Sequence, residues 1–182
     1  HPPPPYVPLT EFVTKDWARF ARAGSRVAIS DDSTGQTRTF REQEHATHAM
    51  AAALRKEFGV TEDSVVALFS PNHVDYVPVC LSVATLGAKL TPINPLYTRN
   101  ELRDILTRSR SSVLFTHANL RDVALEAARE CDNVKHVVAI PHIDGSDIPE
   151  GTTNLNSLKA HSDAVKETSE VVRNNIESHT YL

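Results

Sequence analysis

Ser64-Val65-Val66-Ala67-Leu68-Phe69-Ser70-Pro71-Asn72, continued through Val74–Leu86 to Gly87-Ala88-Lys89-Leu90-Thr91-Pro92-Ile93, is the stretch whose reading decides the fold. Val65–Phe69 is a short unbroken apolar run, the pattern of a strand covered on both faces. Ser70-Pro71-Asn72 turns the chain, and Val74 to Leu86 is apolar nearly all round, with Val77, Leu81 and Ala84 on one stripe and Tyr76, Cys80 and Val83 on the next. That is the pattern of a buried helix. Gly87 stops it, and Ala88 to Ile93 resumes extended structure. Strand, crossover helix and strand make one right-handed parallel unit. Pro78 conflicts with helix propensity unless the helix starts at Asp75, so a late start or a kink is expected.

Working outward toward the N-terminus, Thr39-Phe40-Arg41-Glu42 is a capping box. It opens a helix whose Ala46, Ala49, Met50, Ala53, Leu54 and Phe58 recur at helical spacing, and Gly59 closes it. Val27–Ser30 and Thr37–Phe40 read as a hairpin around Asp31-Asp32-Ser33-Thr34-Gly35-Gln36. Thr10 is placed as the cap of a helix through Ala23, with Phe12, Val13, Trp17 and Phe20 inward and Gly24 past its end. Before it, residues 1–9 form a proline-rich extended arm.

Toward the C-terminus, Thr98-Arg99-Asn100-Glu101 is a second capping box, opening a helix that buries Leu102, Ile105 and Leu106. Val113–Thr116 and Val137–Ile140 are further strands. Between them a helix beginning at Asn119 or a neighbour turns Leu120, Val123, Ala124, Ala127 and Cys131 inward. The fold class is therefore α/β, a mostly parallel sheet flanked by helices, over residues 10–140. Residues 141–182 read as a polar loop, a short helix at Leu155–Ala160, and a tail for which loosely packed helix and disorder both stay open.

Composition narrows the function classes. Apolar residues make up 40% and charged residues 23% of 182, which suits a globular domain. The formal net charge of −4 gives no general basic surface, so no nucleic-acid partner is expected. No run approaches the ~20 apolar residues of a membrane span. Cys80 and Cys131 fall on predicted buried helix faces and read as reduced core thiols of a cytoplasmic protein, with a peroxisomal address left open by the C-terminus.

Single motifs carry little chemistry. His45 and His48 have a spacing that can hold a metal but lack a third ligand, and read as surface histidines. Asp31 and Asp32 read as a solvated turn, and Arg99, Arg103, Arg108 and Arg110 as the wet face of a helix. No Gly-x-Ser-x-Gly elbow, dinucleotide fingerprint or paired-cysteine metal site occurs.

The order of short patterns is more informative. Ser70-Pro71-Asn72, Tyr76-Val77-Pro78-Val79, Leu86-Gly87-Ala88, and Asn94-Pro95-Leu96-Tyr97-Thr98 with Glu101 behind it resemble the N-terminal part of adenylate-forming enzymes. Within that group the chain is similar to coumarate-CoA ligases and acyl-CoA synthetases, from Thr10 to Ile140. The resemblance implies the N-terminal portion of the large domain of such an enzyme, the chain being read as a segment of a longer protein. It implies an ATP-dependent acid–CoA ligase: a carboxylate attacks the α-phosphorus of ATP, with Mg²⁺ offsetting charge, and the thiol of coenzyme A then displaces AMP. The partners implied are a small carboxylic acid and the rest of the parent chain, with its phosphate loop and C-terminal domain.

A phosphate-binding loop rich in Ser, Thr and Gly has no counterpart here, because the six glycines are scattered. The 182-residue stretch alone is therefore expected to be inactive, with no catalytic or metal residue assigned. The resemblance places only Asn94 and Pro95 near a ligand, on the loop that borders coenzyme A in the enzymes it resembles. A luciferase-like adenylating oxygenase and a non-catalytic α/β interaction domain are the alternative readings.

Overall fold

A computed structural model describes residues 9–17, 26–142, 148 and 150–160. Its centre is a five-stranded sheet in the order β4-β3-β5-β6-β7, built from β3 (Val65–Phe69), β4 (Lys89–Ile93), β5 (Val113–His117), β6 (His136–Ile140) and β7 (Thr153–Asn154). Every neighbouring pair is parallel. The expected strands at Val65–Phe69, Leu90–Ile93, Val113–Thr116 and Val137–Ile140 thus lie in one sheet. β7 is an addition, since Thr153 and Asn154 carry no apolar signal and pair with Val138 and Ala139 only through backbone.

Alternation along the strands feeds two cores. Val66, Leu68, Val113, Phe115, Val138 and Ile140 face one side. There they pack against α2 (Phe40–Phe58), through Met50 and Leu54, α3 (Tyr76–Thr85), through Val79 and Val83, and α6 (Leu155–Lys159), through Leu155 and Leu158. Ala67, Phe69 and Leu114 face the other side, against Leu102 and Leu106 of α4 (Arg99–Ser109) and Ala124 and Ala127 of α5 (Arg121–Arg129). Residues one apart in a strand point to opposite faces, so an uninterrupted apolar run is what a doubly covered strand requires.

Both capping boxes form. Thr39 and Thr98 each accept the amide three residues on and receive a carboxylate from Glu42 and Glu101 on their own N–H. Gly59 closes α2 at φ 64°, a left-handed conformation that a Cβ would strain. The late start expected for the central helix is observed: Asp75 is the residue before α3, and Pro78 sits in the first turn, where its missing N–H removes no ladder bond. Val77 is exposed, so the helix is not covered all round. Pro92 is tolerated because β4 is an edge strand among the described residues.

β1 (Val27–Ser30) and β2 (Thr37–Thr39) form the expected antiparallel hairpin as a separate sheet, Phe40 belonging to α2 instead. The first helix departs from expectation. α1 covers Leu9–Thr14, with Thr10 inside it rather than capping it, and a turn at Lys15-Asp16 interrupts the helix before Trp17, where helical backbone resumes. Phe12 and Val13 are exposed, while Trp17 is buried edge-on against Phe40 at 6.0 Å. Helical spacing alone did not tell which of these apolar side chains the domain would cover. Phe20, Ala23 and Gly24, the arm over residues 1–8 and the tail over residues 161–182 lie outside the described residues. The helix expected from Asn119 or a neighbour opens with a 3-10 turn, Ala118–Leu120, and Cys131 is buried just past the end of α5.

Covering both faces makes core truncation costly and edge truncation cheap. Leu114→Ala, at a fully buried position, is expected to lower unfolding free energy by about 2–5 kcal/mol in urea titration. Leu96→Ala, at a side chain 87% exposed, is expected to change it by less than about 0.5 kcal/mol.

Candidate functional site

The parallel register aligns the strand ends, with Phe69 opposite both Ile93 and Thr116, and His117 opposite Ile140. A cleft of about 490 Å³ opens beyond the carboxyl ends of β3, β5 and β6, where open α/β sheets bind ligands. The β1–β2 hairpin forms one wall and the end of α6 another.

Three histidines line it, each delivered by the end of a strand. His73 follows β3, His117 ends β5 and His142 follows β6, with ring centroids 5.7 Å apart for the first pair and 5.5 Å for the second. Two share one local motif. His73 Nδ1 accepts the Asp75 amide at 3.0 Å, and His117 Nδ1 accepts the Asn119 amide at 3.2 Å. An accepting Nδ1 places the proton of the neutral ring on Nε2. Burial, followed by repulsion from His117 and Lys159 that Asp75 partly offsets, drives His73 down to about 4. Burial and the neighbouring His142 also lower His117. Metal binding through Nε2 would move the proton to Nδ1 and set it against a backbone N–H. Among the described residues no group of three or more His, Cys, Asp or Glu is arranged to hold a metal ion.

Asp75 is the charged centre of the wall. Arg38 Nη2 from the hairpin donates to its Oδ1 at 2.5 Å, and Lys159 Nζ from α6 donates to Oδ1 and Oδ2 at 3.2 and 3.1 Å. One carboxylate therefore ties together elements 37 and 84 residues away in sequence. Burial lowers the Lys159 ammonium, the nearby carboxylate raises it, and Arg38 lowers it again.

The residues singled out from sequence fall elsewhere. Asn94 and Pro95 follow β4 at the same end of the sheet but do not line the cleft. Asn94 is exposed, its Oδ1 accepting the Leu96 amide at 3.0 Å and its carbonyl the Tyr97 amide at 3.1 Å, a self-sufficient turn. His45 is exposed, but His48 is largely buried with Nδ1 unpartnered, which corrects its reading as a surface residue. Asp31 holds Ser33 through its Oδ1, as a turn aspartate does, yet also lines the cleft. Arg99 and Arg103 pair with Glu130 on the surface. Cys80 and Cys131 are unpaired, Cys80 only half-buried. Sequence reading missed His73, His117 and His142, although a histidine at or just past three apolar strands is a visible signal.

A family model described as AMP-binding enzyme matches residues 16–180. The chain belongs to the AMP-binding enzyme family. Peroxisomal OPC-8:0-CoA ligase 1 of Arabidopsis thaliana is 37% identical over 129 residues, covering 71% of this chain and 22% of that protein. 4-Coumarate–CoA ligase-like 3 of the same plant is 34% identical over 120 residues, covering 65% and 21%. The chain thus spans about a fifth of the length of these curated AMP-binding relatives. In structure, the luciferase-like enzyme of the nonluminescent mealworm Zophobas morio superposes with a TM-score of 0.74 at 16% identity, over 87% of this chain and 35% of that one. An anthranilate CoA ligase in complex with anthranoyl-AMP superposes with a TM-score of 0.71 at 20% identity, over 86% and 27%. At those identities the AMP-binding enzymes share the fold alone.

The buried neutral His73 fixes a pH dependence. Its folded value, about 4, lies below the ordinary 6.5, so between these limits the unfolded chain binds a proton that the folded chain does not. Stability is expected to fall as pH drops through that window, by up to roughly 3 kcal/mol, and to be flat in this respect above it. Urea midpoints of the chain and of His73→Asn, measured from pH 7 to pH 4, check this. The substituted chain should lose less.

Proposed function

We propose that this chain is the N-terminal segment of an ATP-dependent acid–CoA ligase that adenylates a small carboxylic acid and passes the acyl group to coenzyme A. The observation that carries the reading is that relatives sharing 37% and 34% of residues are CoA ligases by name, whereas the luciferase-like likeness rests on 16% identity. The luciferase-like oxygenase and the non-catalytic interaction domain remain the competing readings. Residues 10–140 are the α/β subdomain, with residues 1–9 leading in and residues 141–182 leading toward the phosphate loop.

The described residues do not fit the triphosphate. Gly35, Gly59, Gly87 and Gly151 are scattered along the chain, each at a single left-handed position, and do not cluster into a loop that would surround phosphate oxygens. This reading places the ATP and Mg²⁺ sites outside the described residues, and no step is assigned to a side chain described here. Two unpaired cysteines support a cytoplasmic setting, and the net charge of −4 supports a small-molecule rather than nucleic-acid partner. Among the described residues no helix is long and apolar enough to cross a membrane. Asn94 and Pro95 are proposed to border coenzyme A through a backbone or amide contact, since a turn rigid without ligand is a pre-organised wall.

The full-length protein is expected to show acid-dependent exchange of pyrophosphate into ATP and acid-dependent thioester formation. Adenylation with oxygen consumption and no thioester would favour the luciferase-like reading, and no exchange at all the non-catalytic one. The purified 182-residue chain alone should show no exchange above a blank preparation, because the groups that position and charge-stabilise the reacting phosphate lie outside it. Asn94→Ala in the full-length enzyme should raise KM for coenzyme A and leave adenylation nearly unchanged. A parallel loss in both half-reactions, or in stability alone, would make Asn94 a turn residue only.

A further inference from the structure

Three charged side chains meet in the cleft wall, and one of them is negative. Arg38 and Lys159 share the Asp75 carboxylate, with side chains 17%, 18% and 10% exposed, so water screens these charges weakly. Asp31 also lines the cleft as a second carboxylate, its Oδ1 taken by the Ser33 N–H and O–H, so the four charges balance and the donors decide what the wall can hold. An ammonium group has three protons, and both partners of Lys159 Nζ are oxygens of Asp75, which leaves a third donor toward the cleft.

Donors also outnumber acceptors around this charge. Arg38 Nε and His73 Nε2 are buried with no partner. His117, whose Nδ1 is occupied by the Asn119 amide, carries its proton on Nε2 as well. Buried N–H groups without acceptors are destabilising, and a charged acceptor offsets this most strongly. A wall with surplus donors is complementary to an oxyanion.

We propose that the cleft beyond β3, β5 and β6 is an oxyanion site, in which a carboxylate or phosphate group seats against Lys159 and Arg38, beside His117, and accepts from their spare N–H groups. The site needs no phosphate loop and stands whether or not the longer protein is an acid–CoA ligase. Its ligand chemistry is a small anion with at least two acceptor oxygens. His73 and His117, both lowered by burial, offer Nε2–H groups without adding charge to the wall.

The test titrates the 182-residue chain with inorganic phosphate, and separately with acetate, at an ionic strength held constant with sodium chloride. Side-chain N–H signals of Lys159 and Arg38 and the ring signals of His117 are followed by NMR. Saturable shifts of these signals are expected, and the anion that saturates lower identifies phosphate or carboxylate as the preferred group. Lys159→Gln should weaken binding about tenfold, the loss of one charge-assisted bond. Arg99→Gln, on the far surface pair, should leave it unchanged. Asp75→Asn removes the competing carboxylate and should tighten it, an outcome that a purely structural role for the cluster does not produce. No saturable shift in the unsubstituted chain, equal shifts from sodium chloride alone, or undiminished binding by Lys159→Gln would overturn the proposal. Where Lys159→Gln loses its fold by circular dichroism, Arg38→Gln replaces it, and the unsubstituted chain decides if both do.

Discussion

The structure depends on β3 being buried on both faces and paired on both edges. Val66 and Leu68 enter one core while Ala67 and Phe69 enter the other, and β4 and β5 flank the strand in parallel. Parallel neighbours cannot be joined by hairpins, so each connection must cross over, and the crossovers are the helices that cover the sheet. The same requirement sends every strand out at one end of the sheet. A cleft at that end is a consequence of the topology, and the identity of the residues leaving each strand decides what the cleft contains.

Those exits are polar and locally self-consistent. After β3 and at the end of β5 a histidine turns back and accepts the amide two residues on, which satisfies a backbone donor and fixes the ring's tautomer together. Burial then keeps the rings neutral. The charged pieces arrive from distant parts of the chain, Arg38 from the hairpin and Lys159 from α6, and meet on Asp75. Such a cluster is weak evidence for net stability, because desolvation of three charges consumes much of the Coulombic gain. Its clearer effect is geometric: it sets where the hairpin and α6 stand relative to the strand ends.

Membership of the AMP-binding enzyme family and the superposition on luciferase-like and CoA-ligase structures at 16–20% identity show how little of this architecture needs particular side chains. In this chain it is built from apolar strands, two capping boxes and a late-starting central helix. The chemistry is not in that list, and in relatives about five times longer it has room to lie elsewhere.

Periodic signals were legible before any coordinates. The four apolar strands, both capping boxes, the hairpin and the start forced by Pro78 are consequences of local sterics and hydrogen bonding, which a short window of residues contains in full. Burial of weakly patterned pieces was not legible. Phe12 and Val13 look as apolar as Trp17 yet stay exposed, and β7 joins the sheet through backbone bonds with no apolar signature. The cleft lay further out of reach, since its charged wall joins residues 37 and 84 positions apart and its histidines are single residues at separate strand ends. By itself the sequence determined which segments become strands and helices, because backbone and patterning energies are local. Only the tertiary structure decided which side chains share a site, because that depends on the order in which parallel strands sit side by side.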